Sequence, residues 1–310
     1  MVLLRRIAFC LVSTALLSTP QARAWDPVGH MIVGRIAYDQ LTPKAREKVD
    51  QAVVELNRGE SETYDFVVAN CWMDDIRSRT RDYSPWHYVN LPFTSEGLPI
   101  PDGGDGPNVV WGLELAQDVL AGRKTHPAIS NKSLAVIILA HLVGDVHQPL
   151  HTTSRDNDAG GNRTKIANLR SPASDLLFGG GGNLHFFWDS AYRRVFKDGE
   201  ATVSYEPPIY DRHKPVAGHI AALPLVEKAA AAIVEEFPPS VVEEQGDATS
   251  WAMESHRLGF SQGYGALPET NGDEIVLDEA YVSESSKIAR QRLAMAGYRL
   301  GALLNEIYGE

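Results

Sequence analysis

Residues 141–151 read HLVGDVHQPLH and bring three histidines and one aspartate close together in the sequence. They follow SLAVIILA, an apolar run that predicts a buried helix. His141 and Asp145 are four residues apart and project from one face of that helix, whereas His151 lies beyond Pro149, which should end it. Imidazole and carboxylate groups are costly to bury unless they are hydrogen-bonded or coordinated. The segment therefore indicates either a polar patch in the core or a metal site.

The segment NLHFFWD repeats this spacing, because His185 and Asp189 are also four residues apart. One such pair on a helix is more often an ion pair than a metal site, but two pairs together favour a metal centre. Imidazole and carboxylate groups without a thiolate cluster suit catalytic rather than structural zinc. Further candidate ligands are Asp74 and Asp75 in CWMDDIRSR, His87 in WHYVN and His30 in WDPVGH.

Helical periodicity dominates the elements that must position these residues. Residues 98–108 and 152–183 are predicted loops, with a short hairpin near NRTKIA. No repeat or linker divides the chain, so we expect a single all-α domain. The predicted helices cover residues 29–41, a helix starting at Pro43 and capped by Thr42, and residues 63–80, 108–122, 130–147, 184–196, 214–236, 248–262 and 275–307.

Residues 1–24 have the pattern of a secretory signal: two arginines, an apolar stretch and a small-residue ending. The apolar stretch is shorter than the ~20 residues needed to span a membrane. We expect cleavage after Ala24, export to the periplasm or the medium, and a mature domain of residues 25–310 that begins at Trp25. No membrane span is expected in that mature chain.

The composition limits how the protein could handle phosphates. Its formal net charge is −11, and the predicted signal contains arginines but no acidic residue. An acidic surface argues against phosphate binding by the protein's own charge, so bound metal would have to supply positive charge. After cleavage Cys71 would be the one remaining cysteine, which excludes an intramolecular disulfide.

Seven segments, in order, resemble the zinc-dependent single-strand nucleases, a family with fungal, plant bifunctional and bacterial secreted members. The same superfamily contains the bacterial zinc-dependent phospholipases C. The resemblance implies an all-α fold with a trinuclear zinc cleft. The matching segments are WDPVGH, CWMDDIR, WHYVNLP, HLVGDVHQPLH, GGN, NLHFFWD and WAMES.

The resemblance also implies a ligand set for three Zn²⁺ ions. The third ion would use the amine of Trp25, which becomes free only when the signal is removed. Carried over by position, the first zinc takes Asp74, His87, His141 and Asp145, the second takes His151, His185 and Asp189, and the third takes His30, Asp145 and the amine and carbonyl of Trp25.

By the same resemblance, Asp74 would also orient the nucleophile. Arg77 and Asn162 would stabilise charge on the phosphoryl oxygens. Tyr88 would stack on a base, and Asn90 would contact its edge.

Two positions depart from the family pattern. Asp26 stands where the family usually has glycine, and we expect a small effect because the position is not a ligand. Asn90 stands where the fungal members carry a base-contacting aspartate. We therefore expect its base recognition to differ from that of the fungal members.

The implied function is an endonuclease and 3′-nucleotidase that cuts single-stranded DNA and RNA to 5′-phosphates, with 3′-mononucleotides as further substrates and no stable protein partner. Two alternatives remain open. One is a zinc-dependent phospholipase C acting on lipid phosphodiesters. The other is a non-catalytic binding module held together by zinc. The predicted ligands leave coordination positions open on the zinc ions, however, and open positions favour an enzyme.

The remaining candidates have structural interpretations. His147 is predicted to support a ligand or to face the helix C-terminus as a cation, and Asp75 to pair on the surface. The other groups are surface histidines, which are His126, His213, His219 and His256, and core tryptophans, which are Trp72, Trp188 and Trp251.

Overall fold

The computed structural model describes residues 25–93, 106–171, 181–208, 214–242, 245–269 and 272–309. The predicted signal peptide, most of the predicted loop 98–108 and His213 lie outside the described residues.

Helices make up most of the described chain, as the sequence predicts. Several begin where a side-chain oxygen accepts a hydrogen bond from the first turn, as at Thr42, Asn108 and Asn131. The helices are α1 (Pro27–Asp39), α2 (Pro43–Asn57), α3 (Phe66–Ala69), α4 (Trp72–Asp75), α5 (Val109–Leu120), α6 (Lys132–Val146), α7 (Leu184–Asp189), α8 (Pro215–Glu236), α9 (Ala248–Leu258), which continues as a π-helix (Gly259–Tyr264), and α10 (Glu279–Tyr308).

Helix α6 is the central element. Every residue from Ala135 to Val146 is buried, and the helix packs against α2, α5 and α10. The long helix α10 also lies along α1. Because α6 is enclosed on all sides, its polar residues must find partners inside the protein.

Short strand pairs add to the predicted all-α architecture. The pair β1–β2 is parallel, whereas β3–β4 and β5–β6 are antiparallel. The hairpin predicted near NRTKIA is instead a pairing of β3 with a strand that directly precedes α7. The strands are β1 (Leu91–Phe93), β2 (Thr153–Arg155), β3 (Lys165–Ile166), β4 (Gly182–Asn183), β5 (Arg194–Lys197) and β6 (Glu200–Val203).

The predicted helix 184–196 is too long and ends at Asp189. Beyond it, β5 and β6 form a hairpin around Asp198 and Gly199, whose φ angles are 54° and 82°. An Asp-Gly pair favours this left-handed turn, because its twist matches that of paired strands. The Asp198-Gly199 turn therefore decides the structure of residues 194–203, although the apolar pattern before it also fits a helix.

The helix predicted over residues 63–80 is interrupted between α3 and α4. The side-chain amide of Asn70 donates to Phe66 O at 2.8 Å. Asparagine competes in this way for carbonyls that would otherwise accept helical hydrogen bonds. The interruption directly precedes α4, which carries Asp74.

By length and hydropathy, α8 could cross a membrane. In this fold it packs against α1 and buries Val216, Ala222 and Val226. The three tryptophans predicted for the core, Trp72, Trp188 and Trp251, are also buried.

Candidate metal centre

Helix α6 presents His141 and Asp145 to His87 at the centre of the molecule. His141 Nδ1 bonds to Asn70 O at 2.6 Å, so Nε2 faces the other two residues. His87 Nδ1 lies 3.0 Å from His141 Nε2 and 2.9 Å from Asp145 Oδ2, and His141 Nε2 lies 3.2 Å from the same oxygen. Zinc binds such atoms at about 2.0–2.2 Å, so one ion could contact all three.

His30 and Asp74 extend this group on two sides. The His30 ring stacks on His141, with centroids 4.0 Å apart, and its Nε2 lies 3.5 Å from Asp145 Oδ1. Asp74 Oδ1 lies 3.9 Å from His87 Nδ1. The two oxygens of Asp145 therefore face different histidines, which is the arrangement a bridging carboxylate needs.

A second group, of His151, His185 and Asp189, adjoins the first. His151 Nδ1 bonds to His87 O and His185 Nδ1 to Gly160 O, each at 2.7 Å. Such bonds fix the orientation of both imidazole rings, as expected of histidines that bind a metal. His185 Nε2 lies 3.6 Å from Asp189 Oδ1, and the two imidazoles stack at 5.1 Å.

Trp25 is fully buried between the helices that carry the two groups. Its indole Nε1 donates to Gly144 O at 2.9 Å, next to Asp145. The following backbone N–H, that of Asp26, donates to Asp189 O at 2.9 Å. The start of the described chain is thus fixed beside α6 and α7.

Burial shifts the pKa values of several groups in the cluster toward their neutral forms. Burial lowers the pKa of His30 and His87, which favours the neutral imidazole that binds metals. Burial raises the pKa of Asp145 to about 6 and that of Asp189 well above its usual value. Within the described chain, neither ring nitrogen of His30 has a hydrogen-bond partner, and Asp145 Oδ1 also lacks one. Buried polar atoms without partners are costly, and a metal ion would satisfy them.

The predicted catalytic and base-contacting residues lie around the cluster. Arg77 Nε is 3.1 Å from Asp74 Oδ1, in an ion pair. Asn162 Nδ2 donates to Ala159 O, in the loop whose Gly160 O meets His185. Tyr88 is 36% exposed, and Asn90 is also exposed, so both could meet a substrate that approaches from solvent.

Sequence reasoning missed Gln148, although it lies within the HQPLH segment. Its Nε2 donates to Asp189 Oδ1 at 2.7 Å, and its Oε1 accepts from Leu150 N. The residue therefore orients a carboxylate of the second group and also shapes the turn before His151.

The prediction that His219 lies on the surface is wrong. His219 is fully buried on α8, and its Nε2 lies 3.0 Å from Asp75 Oδ1. Asp75 also accepts from Tyr64 Oη. Asp75 thus pairs as expected, but inside the protein, because α8 covers the face of α4 that carries it.

Three further histidines of the described chain make contacts within the protein. His126 packs its ring against Trp86 and is half-buried. His256 is also half-buried, with Nδ1 3.2 Å from Thr152 O. His147 is buried, with Nδ1 2.8 Å from Val143 O and Nε2 facing Arg299 Nη1 at 2.9 Å. Burial lowers the pKa of His147, so it is not the cation suggested for the helix end.

Within the described residues, a mostly helical domain contains groups of His and Asp side chains whose ligand atoms, in each group, lie within 4.8 Å of one another, close enough to share a metal ion. The model of the S1/P1 nuclease family matches residues 25–309, and the chain belongs to that family. It is therefore a nuclease, a hydrolase of nucleic-acid phosphodiester bonds.

Plant endonucleases resemble the chain over nearly its whole length. Endonuclease 2 of Arabidopsis thaliana is 26% identical over 316 residues, covering 95% of this chain and 94% of that protein. Endonuclease 4 of the same plant is 25% identical over 308 residues, covering 93% and 90%.

Proposed function

We propose that the protein is an exported, zinc-dependent endonuclease and 3′-nucleotidase that cuts single-stranded DNA and RNA to 5′-phosphates. The observation that carries this proposal is the pair of buried His/Asp groups, with His30 and His87 on different oxygens of Asp145. An acidic protein needs a compensating positive charge to bind a phosphodiester, and metal ions at this cluster would supply it.

The ligand assignment follows the two groups and their extensions. Asp145 would be shared, because its two oxygens face different histidines. Three Zn²⁺ ions would be held by Asp74, His87, His141 and Asp145, by His151, His185 and Asp189, and by His30, Asp145 and the amine and carbonyl of Trp25.

Bound zinc would lower the pKa of a coordinated water and polarise a phosphoryl oxygen. Asp74, at the edge of the first group, would orient the attacking water. The guanidinium of Arg77 would stabilise negative charge on the phosphoryl group, and the Asn162 amide would donate to its oxygens. Tyr88 would stack on the base, with Asn90 at the base edge.

Export would complete the site, because removal of residues 1–24 would free the amine of Trp25. We expect a protein that retains one extra residue before Trp25 to bind one zinc fewer and to lose most of its activity. Elemental analysis and turnover, compared with the protein that begins at Trp25, would test this. Equal zinc content and turnover would exclude the amine as a required ligand.

The function is tested with fluorescence release from a labelled single-stranded oligonucleotide, beside a duplex of the same sequence and a choline phospholipid. We expect rapid cleavage of the single strand alone, and near-complete loss of it in Asp145→Asn. Asp50→Asn is the matched control, since Asp50 is an exposed residue on α2.

Cleavage of the phospholipid but not the oligonucleotide would favour the phospholipase alternative. Zinc binding without cleavage of either substrate would favour a non-catalytic module.

A further inference from the structure

One aromatic side chain outside the cluster is exposed to solvent. Phe260, in the π-helix that follows α9, is 41% exposed. Its ring packs edge-on against Phe93, with centroids 5.0 Å apart and planes at 76°. Phe93 is buried and also meets Tyr264 at 5.3 Å. Phe260 is thus supported by packing on one side while part of its surface faces solvent.

The π-helix packs on the turn that carries a predicted metal ligand. A Cβ added to Gly259 would lie 2.7 Å from Pro149 O, so only glycine permits this approach. The same Cβ would also collide with the Thr153 side chain. The next residue, Phe260, is therefore held close to the segment around His151. π-Helical turns occur frequently at functional sites.

Strand β1 connects Phe93 to the predicted base-contacting residues. Phe93 lies three residues beyond Asn90, and a strand rises about 3.3 Å per residue, so the separation is about 10 Å along the chain. Strand β2, its partner, begins two residues after His151. Phe260 thus packs on the strand that continues from Asn90, and that strand pairs with the one that follows His151.

Two arginines lie in the elements that surround Phe260, although the protein as a whole is acidic. Arg155, at the end of β2, has its guanidinium carbon 4.8 Å from the centroid of Tyr264. Arg257 is exposed three residues before Phe260. Aromatic rings with nearby cations are the combination that binds single-stranded nucleic acid without base preference.

We propose that Phe260 forms an outer stacking position for a nucleobase beyond the scissile nucleotide, with Arg155 and Arg257 near the strand's phosphates. The proposal rests on the proposed cleavage of single strands and adds a site that only substrates longer than a dinucleotide could reach.

The test compares KM for a dinucleotide and for a homopolymer of about ten nucleotides in Phe260→Ala. We expect KM for the homopolymer to rise about tenfold more than KM for the dinucleotide, because only the longer strand loses a stacked base. Phe260→Trp should restore most of the difference. Ile220→Ala, at an exposed apolar residue of α8, is the matched control and should leave the KM ratio unchanged.

An equal change in KM for both substrates, or no change for either, would overturn the outer stacking position. Failure of the proposed function would appear differently, as a wild type that cuts neither substrate. Zinc content and melting temperature of Phe260→Ala should match the wild type, and a loss of zinc would instead assign the residue a structural role.

Discussion

Asp26 shows how one side chain can connect distant parts of the structure. Its Oδ1 accepts from Gly29 N and from Tyr192 Oη, and its Oδ2 accepts from Arg193 Nη2 at 2.7 Å. The side chain of Arg193 is only 7% exposed. The small effect expected for this departure from the family glycine therefore needs revision, because Asp26 both caps α1 and neutralises a buried cation.

We predict that Asp26→Gly lowers the free energy of unfolding by about 2–4 kcal/mol, since it leaves Arg193 without its closest carboxylate. Chemical denaturation would measure the loss. Asp247→Gly is the matched control: Asp247 also caps a helix but is exposed, so replacing it by glycine should cost only a few tenths of a kcal/mol. Similar losses in both variants would mean that Asp26 acts only as a cap.

At Asn90 the predicted effect is on specificity. An amide can turn either a donor or an acceptor toward a base, whereas a carboxylate only accepts. We predict that the wild type cuts the four homopolymers within about tenfold of one another, or ~1.4 kcal/mol. Asn90→Asp should sharpen the preference for bases that present donors, without a change in zinc content. A strong wild-type preference that survives Asn90→Asp would show that the residue does not contact the base.

Among the elements, α10 holds the C-terminal end of α6. Arg292 Nε donates to His147 O at 3.2 Å, and its Nη2 donates to Ser255 Oγ, which in turn donates to Val146 O. Glu254 accepts from Arg292 and from a second arginine of α10, Arg299. These contacts satisfy carbonyls that a helix end leaves without partners. They also fix the turn between Asp145 and the second His/Asp group.

We predict that Arg292→Met lowers the free energy of unfolding by about 3 kcal/mol, because the buried His147 O and Ser255 Oγ lose their donor and Glu254 keeps only Arg299 as a partner. Arg290→Met is the control on the same helix, since Arg290 makes a more exposed ion pair with Glu236 and should cost less than ~1 kcal/mol. Urea unfolding of both variants would measure the difference. Equal losses in the two variants would show that Arg292 stabilises the protein no more than an exposed ion pair does.

The helices were predictable because apolar periodicity and capping residues agree, as at Thr42 and Asn131. The hairpin around Gly199 was not predicted, because the apolar residues before it also fit a helix. The two His/Asp groups could be recognised from their i, i+4 spacing. The roles of Arg292 and Arg299 could not, since a buried arginine has no local sequence signal and depends on which helix packs against it.

On the scale of the whole molecule, the cluster concentrates buried polar groups where helices from across the chain meet. We predict that prolonged chelation abolishes cleavage and lowers the melting temperature, and that Zn²⁺ restores both. Bound ligand at a hundredfold excess over its Kd adds about 2.7 kcal/mol to stability. Calorimetry with parallel activity assays would measure both effects, with Asp145→Asn showing a smaller response to chelator. A metal-free protein with full activity would contradict the proposed zinc chemistry.

The predicted ligands extend in sequence from Trp25 and His30 to Asp189, and the first and last of these segments are joined by the hydrogen bond from Asp26 N to Asp189 O. Closing the loop between such distant segments costs chain entropy, so we expect these contacts to form late in folding. An ion that needs the assembled cluster would therefore contribute little to the folding transition state. The proposed zinc would act chiefly by slowing unfolding, so the lifetime of the folded protein would depend on metal more strongly than its rate of folding.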